Sequence, residues 1–273
     1  MTEIDESPRM IPQTWHYGVV ARWWAQFNLE GGAELDYFRR FIESGQPALD
    51  AACGTGRLLI PYLQAGLDVD GTDISPDMLE LCRERAEREG LPPPRLYAQA
   101  MHELELPRCY ATIVVCGGFG LGGDRAQDEA GLRRLYEHLE PGGTLALDNQ
   151  VPYSYASWRH WTAEGRKELP TSWPEPGERA LGSDGAEYEL RYRLVDLDPL
   201  ARLMTSELRA LMWRDGELVA DEQHLLKLTL YFTHEIVLLL ERVGFATVEV
   251  HGAYRDDAPT KDDDYVVFVA RKA

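Results

Sequence analysis

The sequence predicts an α/β fold in which a doubly wound, mostly parallel sheet is interrupted by an inserted antiparallel sheet. Three observations carry this. From Pro47 onward, short apolar runs suited to buried strands alternate with amphipathic helical stretches, as βαβ units with right-handed crossovers require. Around residue 187 the apolar period changes to two, so a different kind of sheet begins. From Thr233 the helix-then-strand order resumes and runs to the end.

Taken in order, residues 1–13 are polar with two prolines and read as a loose leader. Tyr17, Val20, Ala21 and Trp24 then fall at helical spacing, continued by Phe27. A second helix is predicted over 33–42. Strands are expected at 48–51, 67–72, 95–99, 112–116 and 144–148, with helices at 56–65 and 127–139 between them. The helix after Ser75 is the best signalled: Ser75 is an N-cap, Pro76 takes the first position, Asp77 suits the positive helix end and Gly90 closes it. Residues 150–185, rich in Trp, Tyr, Pro and Gly, read as an irregular lid. Tyr188 to Leu194, Met204 to Met212 and Leu226 to Leu230 alternate as three antiparallel strands, with Asp215-Gly216 as a hairpin turn. Thr233 is expected to cap a helix that Gly244 ends. Strands at 245–250 and 265–270 bring the main sheet to seven. The expected division is 1–149 for cap helices and core, 150–231 for the insert, and 232–273 for the returning core.

Composition narrows the function. Hydrophobic residues are 44% and charged residues 27%, which suits a packed globular chain. The formal net charge of -18 argues against nucleic acid, whose binders need a positive footprint, and against anionic membranes. No apolar run spans a bilayer and the acidic start is no signal peptide, so a cytoplasmic protein is expected. Cys53, Cys82, Cys109 and Cys116 form no C-x-x-C pair and no zinc-spaced set, so no metal is expected. Oligomeric state has no signal in the sequence.

The chemistry concentrates in ALDAACGTGR, residues 48–57. A strand runs into Asp50, a small-residue turn and a helix start, where Gly54 and Gly56 let backbone approach a ligand. One βα unit later, VDGTDISPDML places Asp73 after the second strand, where an acid accepts from ribose hydroxyls. Together these read as an adenosine-type site. A dinucleotide fingerprint would need a small residue where Leu59 stands, and a pyrophosphate would disfavour Asp50. A ligand bearing a cationic amino group would welcome it.

On these motifs, with YATIVVCGGFG, LEPGGTLALDN and LLLERVGF, the chain resembles the class I S-adenosylmethionine (SAM)-dependent methyltransferases of the small-molecule type over 15–149 and 233–271. Ala52 stands where that family's first motif carries glycine. The resemblance implies a Rossmann-like sheet, SAM as cofactor and S-adenosyl-L-homocysteine as product. It implies that Asp50, Ala52 and Gly54 contact the methionine part and that Asp73 holds the ribose. Ile74 and Met78 would pack on the adenine and Met101 would meet its edge. Cys116 and Gly117 would lie under the sulfonium. Tyr17 would cover the cofactor, and Arg22 would reach its carboxylate. Ala100 replaces an Asp that relatives often carry for the adenine amino group.

Other readings stand beside these. Taken alone, Tyr17 and Trp24 suit a core stripe better than a lid, and His16 a packed ring better than a catalytic base. Asn149 orients a substrate or satisfies a turn. Tyr153, Trp158, Trp161 and Trp173 suit an aromatic substrate wall, and the loop between the last two strands would bring Tyr254 and Arg255 to the mouth. No general base is identifiable. The expected reaction is methyl transfer to N, O or C of a small-molecule acceptor by in-line displacement. The second reading is a SAM-binding regulator without catalysis.

Overall fold

The computed structural model describes residues 9–11, 16–155 and 157–273. The leader is not wholly loose. Arg9–Ile11 forms strand β1, paired in parallel with residues 222–224 far along the chain. Helix α1 (Gly18–Phe27) follows. Tyr17, expected inside it, instead precedes it with extended backbone and supplies no side-chain cap. A helix start leaves unpaired N–H groups and a positive end. Here two distant carboxylates satisfy them: Gly18 N donates to Asp77 Oδ2 and Val19 N to Glu222 Oε2, both at 2.8 Å.

Helix α2 (Ala33–Ser44) leads to β2 (Ala48–Ala51). Helix α3 (Leu59–Gln64) starts later than expected because residues 54–58 are taken up by turns. Next come β3 (Val69–Asp73) and α4 (Pro76–Arg88), capped as the sequence signalled: Ser75 Oγ accepts from Met78 N. β4 (Leu96–Ala98) ends before a 3-10 turn at Met101–Glu103. β5 (Tyr110–Val115) and α5 (Arg125–His138) follow, with Asp124 capping α5 by accepting from Ala126 N and Gln127 N. β6 (Leu139–Gln150) is longer than expected. Pro141-Gly142-Gly143 forms a bulge inside β6, where Tyr110 faces Leu139 and Thr112 already faces Thr144.

The insert holds two short helices, α6 (Pro152–Tyr155) and α7 (Ala163–Arg166), then β7 (Ala180–Leu181), β8 (Glu187–Asp198), β9 (Leu203–Arg214) and β10 (Glu217–Thr229). Its sheet runs β1-β10-β9-β8-β7, so the three expected strands are present, flanked by two short edges. Asp215 and Gly216 both have positive φ, the geometry of a tight hairpin between twisted strands. Alternation along β9 holds from Met204 to Ala210. Beyond it Leu211 and Trp213 are buried too, Arg179 lying over the Trp213 ring at 3.9 Å, while Met212 is half-buried.

The core returns with α8 (Thr233–Val243), β11 (Thr247–Gly252) and β12 (Tyr265–Arg271). Thr233 is the first helical residue and not the cap. Phe232 N donates to Glu235 Oε2 at 3.0 Å instead, and Gly244 ends the helix at φ +118°.

The main sheet runs β11-β12-β6-β5-β2-β3-β4. β2 to β6 are parallel, and β12 is antiparallel between β6 and β11. Successive residues of β5 serve opposite faces. Ile113 and Val115 join Leu135, Leu147, Ile236 and Phe268 on the α5 and α8 side, while Val114 joins Phe38, Ile60, Leu79 and Val267 on the α2 to α4 side. Strand order reverses between β2 and β5, which opens a crevice at their carboxyl ends, where open α/β sheets bind ligands. Among the described residues no helix is long and apolar enough to cross a membrane, and no cluster of His, Cys, Asp and Glu has the arrangement to hold a metal.

Candidate active site

A cleft of about 280 Å³ lies at that crevice. Its floor is the turn after β2. Ala52, Gly54 and Gly56 all take positive φ, and Cys53 N hooks the turn to β3 by donating to Thr72 O at 2.8 Å. The glycines differ in purpose. A Cβ on Gly54 would meet nothing within 4 Å, so its face is open to the cleft. A Cβ on Gly56 would lie 2.7 Å from both Cys82 Sγ and Ile60 Cγ1. Gly56 therefore packs α3 against α4 and does not line the cleft, contrary to its expected ligand contact.

Two buried acids face one another across this floor. Asp50 is 2% exposed, and its Oδ2 has no hydrogen-bond partner among the described residues. Burial, reinforced by the Asp73 charge, pushes its carboxyl up to about 8. Such a group is costly unless a cation or donor meets it. Asp73 is better served: Oδ2 accepts from Gly54 N at 3.0 Å and Oδ1 from Ser75 N at 2.8 Å. Burial still raises its pKa, opposed by those two amides. Each oxygen retains a lone pair, enough for a diol.

The end of β5 forms the next side. Gly117 N donates to Asp148 Oδ1 at 2.6 Å, while Cys116 Sγ (3.3 Å) and Tyr254 OH (2.7 Å) donate to Oδ2. Burial, then the Asp148 charge, holds the Cys116 thiol well above its ordinary pKa, so it stays neutral. The remaining walls are His16, Trp24 and Asn28 from the α1 side, and Gln127 and Asp128 from the start of α5. Burial first, then nearby His224, lowers His16 to about 4, which leaves a neutral imidazole.

Of the residues the sequence singled out for the cofactor, Asp50, Ala52, Gly54, Asp73, Ile74, Met78, Met101, Cys116 and Gly117 line this one cleft. Tyr17 does not line it. Its hydroxyl donates to Ile74 O at 3.5 Å in an exposed contact. Arg22 is exposed on α1 and away from the cleft. The arginine that does line it is Arg57, ion-paired with Glu34 and donating to Cys116 Sγ at 3.5 Å.

The expected substrate residues are not gathered there. Asn149 donates through Nδ2 to Gln150 O and Tyr231 O, both at 3.0 Å, satisfying backbone at the end of β6. Tyr153 is 46% exposed, and Trp158 is 68% exposed and stacked with Trp161. Trp173 lies beneath Arg193. The β11–β12 loop does stand at the carboxyl edge, since Tyr265 pairs with Gln150. Tyr254, however, faces inward on Asp148, and Arg255 is tied to Asp263 by two bonds of 2.6 Å. Sequence reasoning missed Arg57 and Asp128, which line the cleft, and Asp148, which holds Cys116 and Gly117 from behind. Asp148, at the end of the fifth core strand, was the one with a legible position.

The donor set fits SAM. Asp50 offers an unsatisfied carboxylate to an ammonium, Gly54 an open backbone face, and Asp73 two acceptors to a ribose. Residues 48–143 match the family described as a methyltransferase domain. A putative methyltransferase of Geobacillus sp. strain WCH70 is 24% identical over 82% of this chain and 83% of its own. The demethylmenaquinone methyltransferase of Thermus thermophilus is 33% identical over 44% of this chain, which spans 56% of that relative. Among solved structures, a SAM-dependent methyltransferase from Clostridium acetobutylicum superposes with a TM-score of 0.70 at 17% identity, over 93% of this chain and 97% of its own. The sugar N-methyltransferase KedS8 from Streptoalloteichus gives 0.66 at 19% identity, over 96% and 98%. The reversing sheet and the cleft at its switch point give the chain the fold of the SAM-dependent methyltransferases it resembles, and residues 48–143 carry the methyltransferase domain, an enzyme unit that uses SAM and releases S-adenosylhomocysteine.

Proposed function

We propose that this methyltransferase acts on a small-molecule acceptor, whose N, O or C nucleophile attacks the transferable methyl in line with the leaving sulfur. The observation that carries the cofactor half is the unpartnered Asp50 Oδ2, buried at the cleft floor beside the open face of Gly54. Asp50 takes the methionine ammonium, with Ala52 and Gly54 beneath it. Asp73 takes the ribose hydroxyls. Ile74, Met78 and Met101 enclose the adenine, and Cys116 and Gly117 line the sulfonium. SAM supplies a methyl already activated as a sulfonium substituent. The protein's task is therefore alignment and exclusion of water.

Support for a small acceptor comes from the net charge of -18, unsuited to nucleic acid, and from the structural neighbours. KedS8 is a sugar N-methyltransferase and CalS10 an amino pentose methyltransferase, so an amine is the acceptor group we favour. Residues 150–231 form the insert whose sheet backs the acceptor side, where Leu121 of the cleft pairs with Leu228 of β10. Calorimetry with SAM and S-adenosylhomocysteine, on wild type and Asp73→Ala, tests the cofactor half. Methyl transfer to a panel of small amines, alcohols and phenols tests the acceptor half. Tight cofactor binding with no transfer to any acceptor favours a non-catalytic SAM-binding protein.

A further inference from the structure

The cofactor half of the cleft accounts for two of its three aspartates. The third is Asp128, in the first turn of α5 and half-buried in the wall on the insert side. Its Oδ2 accepts from Tyr231 OH at 2.9 Å, and Tyr231 lies two residues past the end of β10, the last strand of the insert.

The loop after β5 connects this wall to the cofactor floor. A Cβ on Gly118 would lie 2.5 Å from Ala52 Cβ, so the loop begins against the turn after β2. A Cβ on Gly120 would lie 2.7 Å from Thr229 O, so two residues later it has reached the insert. Phe119 between them lies 5.1 Å from the Tyr231 ring, centroid to centroid. One short loop thus runs from the floor to the Tyr231–Asp128 pair.

We propose that Asp128 faces the transferable methyl and serves the acceptor nucleophile, with Tyr231 as its positioning residue. The assignment rests on the cofactor placement proposed above. The acceptor nitrogen forms the new C–N bond as the C–S bond breaks and its electron pair stays on sulfur. The proton leaving nitrogen passes to the Asp128 carboxylate and then to water.

The surroundings suit that role. Burial raises Asp128 to about 6, opposed by the Tyr231 and Thr229 hydroxyls and the Arg125 cation and aided by Asp124. Glu235, from α8, stands 3.5 Å from Arg125, and the Arg125 guanidinium lies over the Tyr231 ring at 4.6 Å. A carboxylate nearer neutrality is a better proton acceptor than an ordinary one. His16, on the opposite wall, is too weak a base at about 4, and the Cys116 thiol stays neutral.

Sinefungin tests this without any acceptor, because an amino-bearing carbon replaces the methylated sulfur and sets an ammonium where the methyl would be. Wild-type protein should bind sinefungin more tightly than S-adenosylhomocysteine. Asp128→Asn preserves shape and the Tyr231 bond. It should weaken sinefungin by roughly tenfold or more, the scale of a lost charge-assisted hydrogen bond, and leave S-adenosylhomocysteine within about twofold. Tyr231→Phe should give a smaller loss of the same kind. Equal sinefungin binding in wild type and Asp128→Asn would overturn the assignment. So would a matching loss of S-adenosylhomocysteine, which would make Asp128 a structural residue. Neither result depends on whether the acceptor is an amine.

Discussion

The backbone amide of Gly54 donates to the carboxylate of Asp73 at 3.0 Å, which joins the turn after β2 to the end of β3 before any ligand arrives. The acid therefore shapes the floor in addition to the ribose contact proposed for it. Asp73→Ala should lower SAM affinity by at least about tenfold and also destabilise the apo protein by about 1–3 kcal/mol, because two buried amides lose their acceptor. Calorimetry and urea unfolding measure the two effects separately. Lost affinity with unchanged stability would show that the bond to Gly54 has no structural part.

Ala52 holds φ +65° in a turn where glycine carries no such cost. Ala52→Gly should stabilise the protein by up to about 1 kcal/mol. The reverse change on the facing loop, Gly118→Ala, would set two Cβ atoms 2.5 Å apart and should destabilise it or displace the Cys116–Phe119 loop. Thermal unfolding of both variants checks the pair.

Asp50 gives the pH prediction. Its native pKa, about 8, lies above that of an unfolded aspartate. Between about pH 4 and 8 the native state then binds more protons than the unfolded one, so this group's contribution to stability falls as pH rises and levels off above about 8. A cation arriving beside Asp50 reverses the preference. SAM binding near pH 7 should release a proton, and affinity should rise from pH 6 to 8. Calorimetry in buffers of different ionisation enthalpy detects that proton, and Asp50→Asn should abolish it.

Tyr254→Phe removes one of three donors to buried Asp148. A loss of about 1–2 kcal/mol is expected with SAM affinity nearly unchanged, since Tyr254 does not line the cleft. Trp158→Ala, at an exposed ring outside the cleft, should shift stability by less than about 0.5 kcal/mol.

The core was legible because its signals are local. Ser75-Pro76-Asp77 forecast α4, and Ala48 to Ala51 forecast β2, from neighbouring residues alone. The glycine turn and Asp73 are bound to the ends of such strands, so their convergence followed from the sheet. The misplacements have a different origin. Arg22 and Arg57 are both plausible partners for a carboxylate, but which one enters the cleft depends on how α1 is rotated, and that is fixed by Asp77 and Glu222, one on α4 and one on β10. Trp158 and Tyr153 carried an aromatic composition without a fold address. Asp128 was invisible because its partner, Tyr231, lies across the whole insert.

The pairing of Arg9–Ile11 with β10 sets an order of events during synthesis. Arg9 leaves the ribosome early, but its partner Glu222 arrives only after the insert has been made. The turn after β2, β3 and α4 can assemble long before that, from contacts close in sequence. The wall bearing His16 can dock on α4 early, through Ser75 and Asp77, but its bond to Glu222 forms only once β10 has been made. A nascent chain stalled within the insert would hold that wall by its α4 contacts alone, and a cofactor bound then would sit beneath a cover not yet tied to β10.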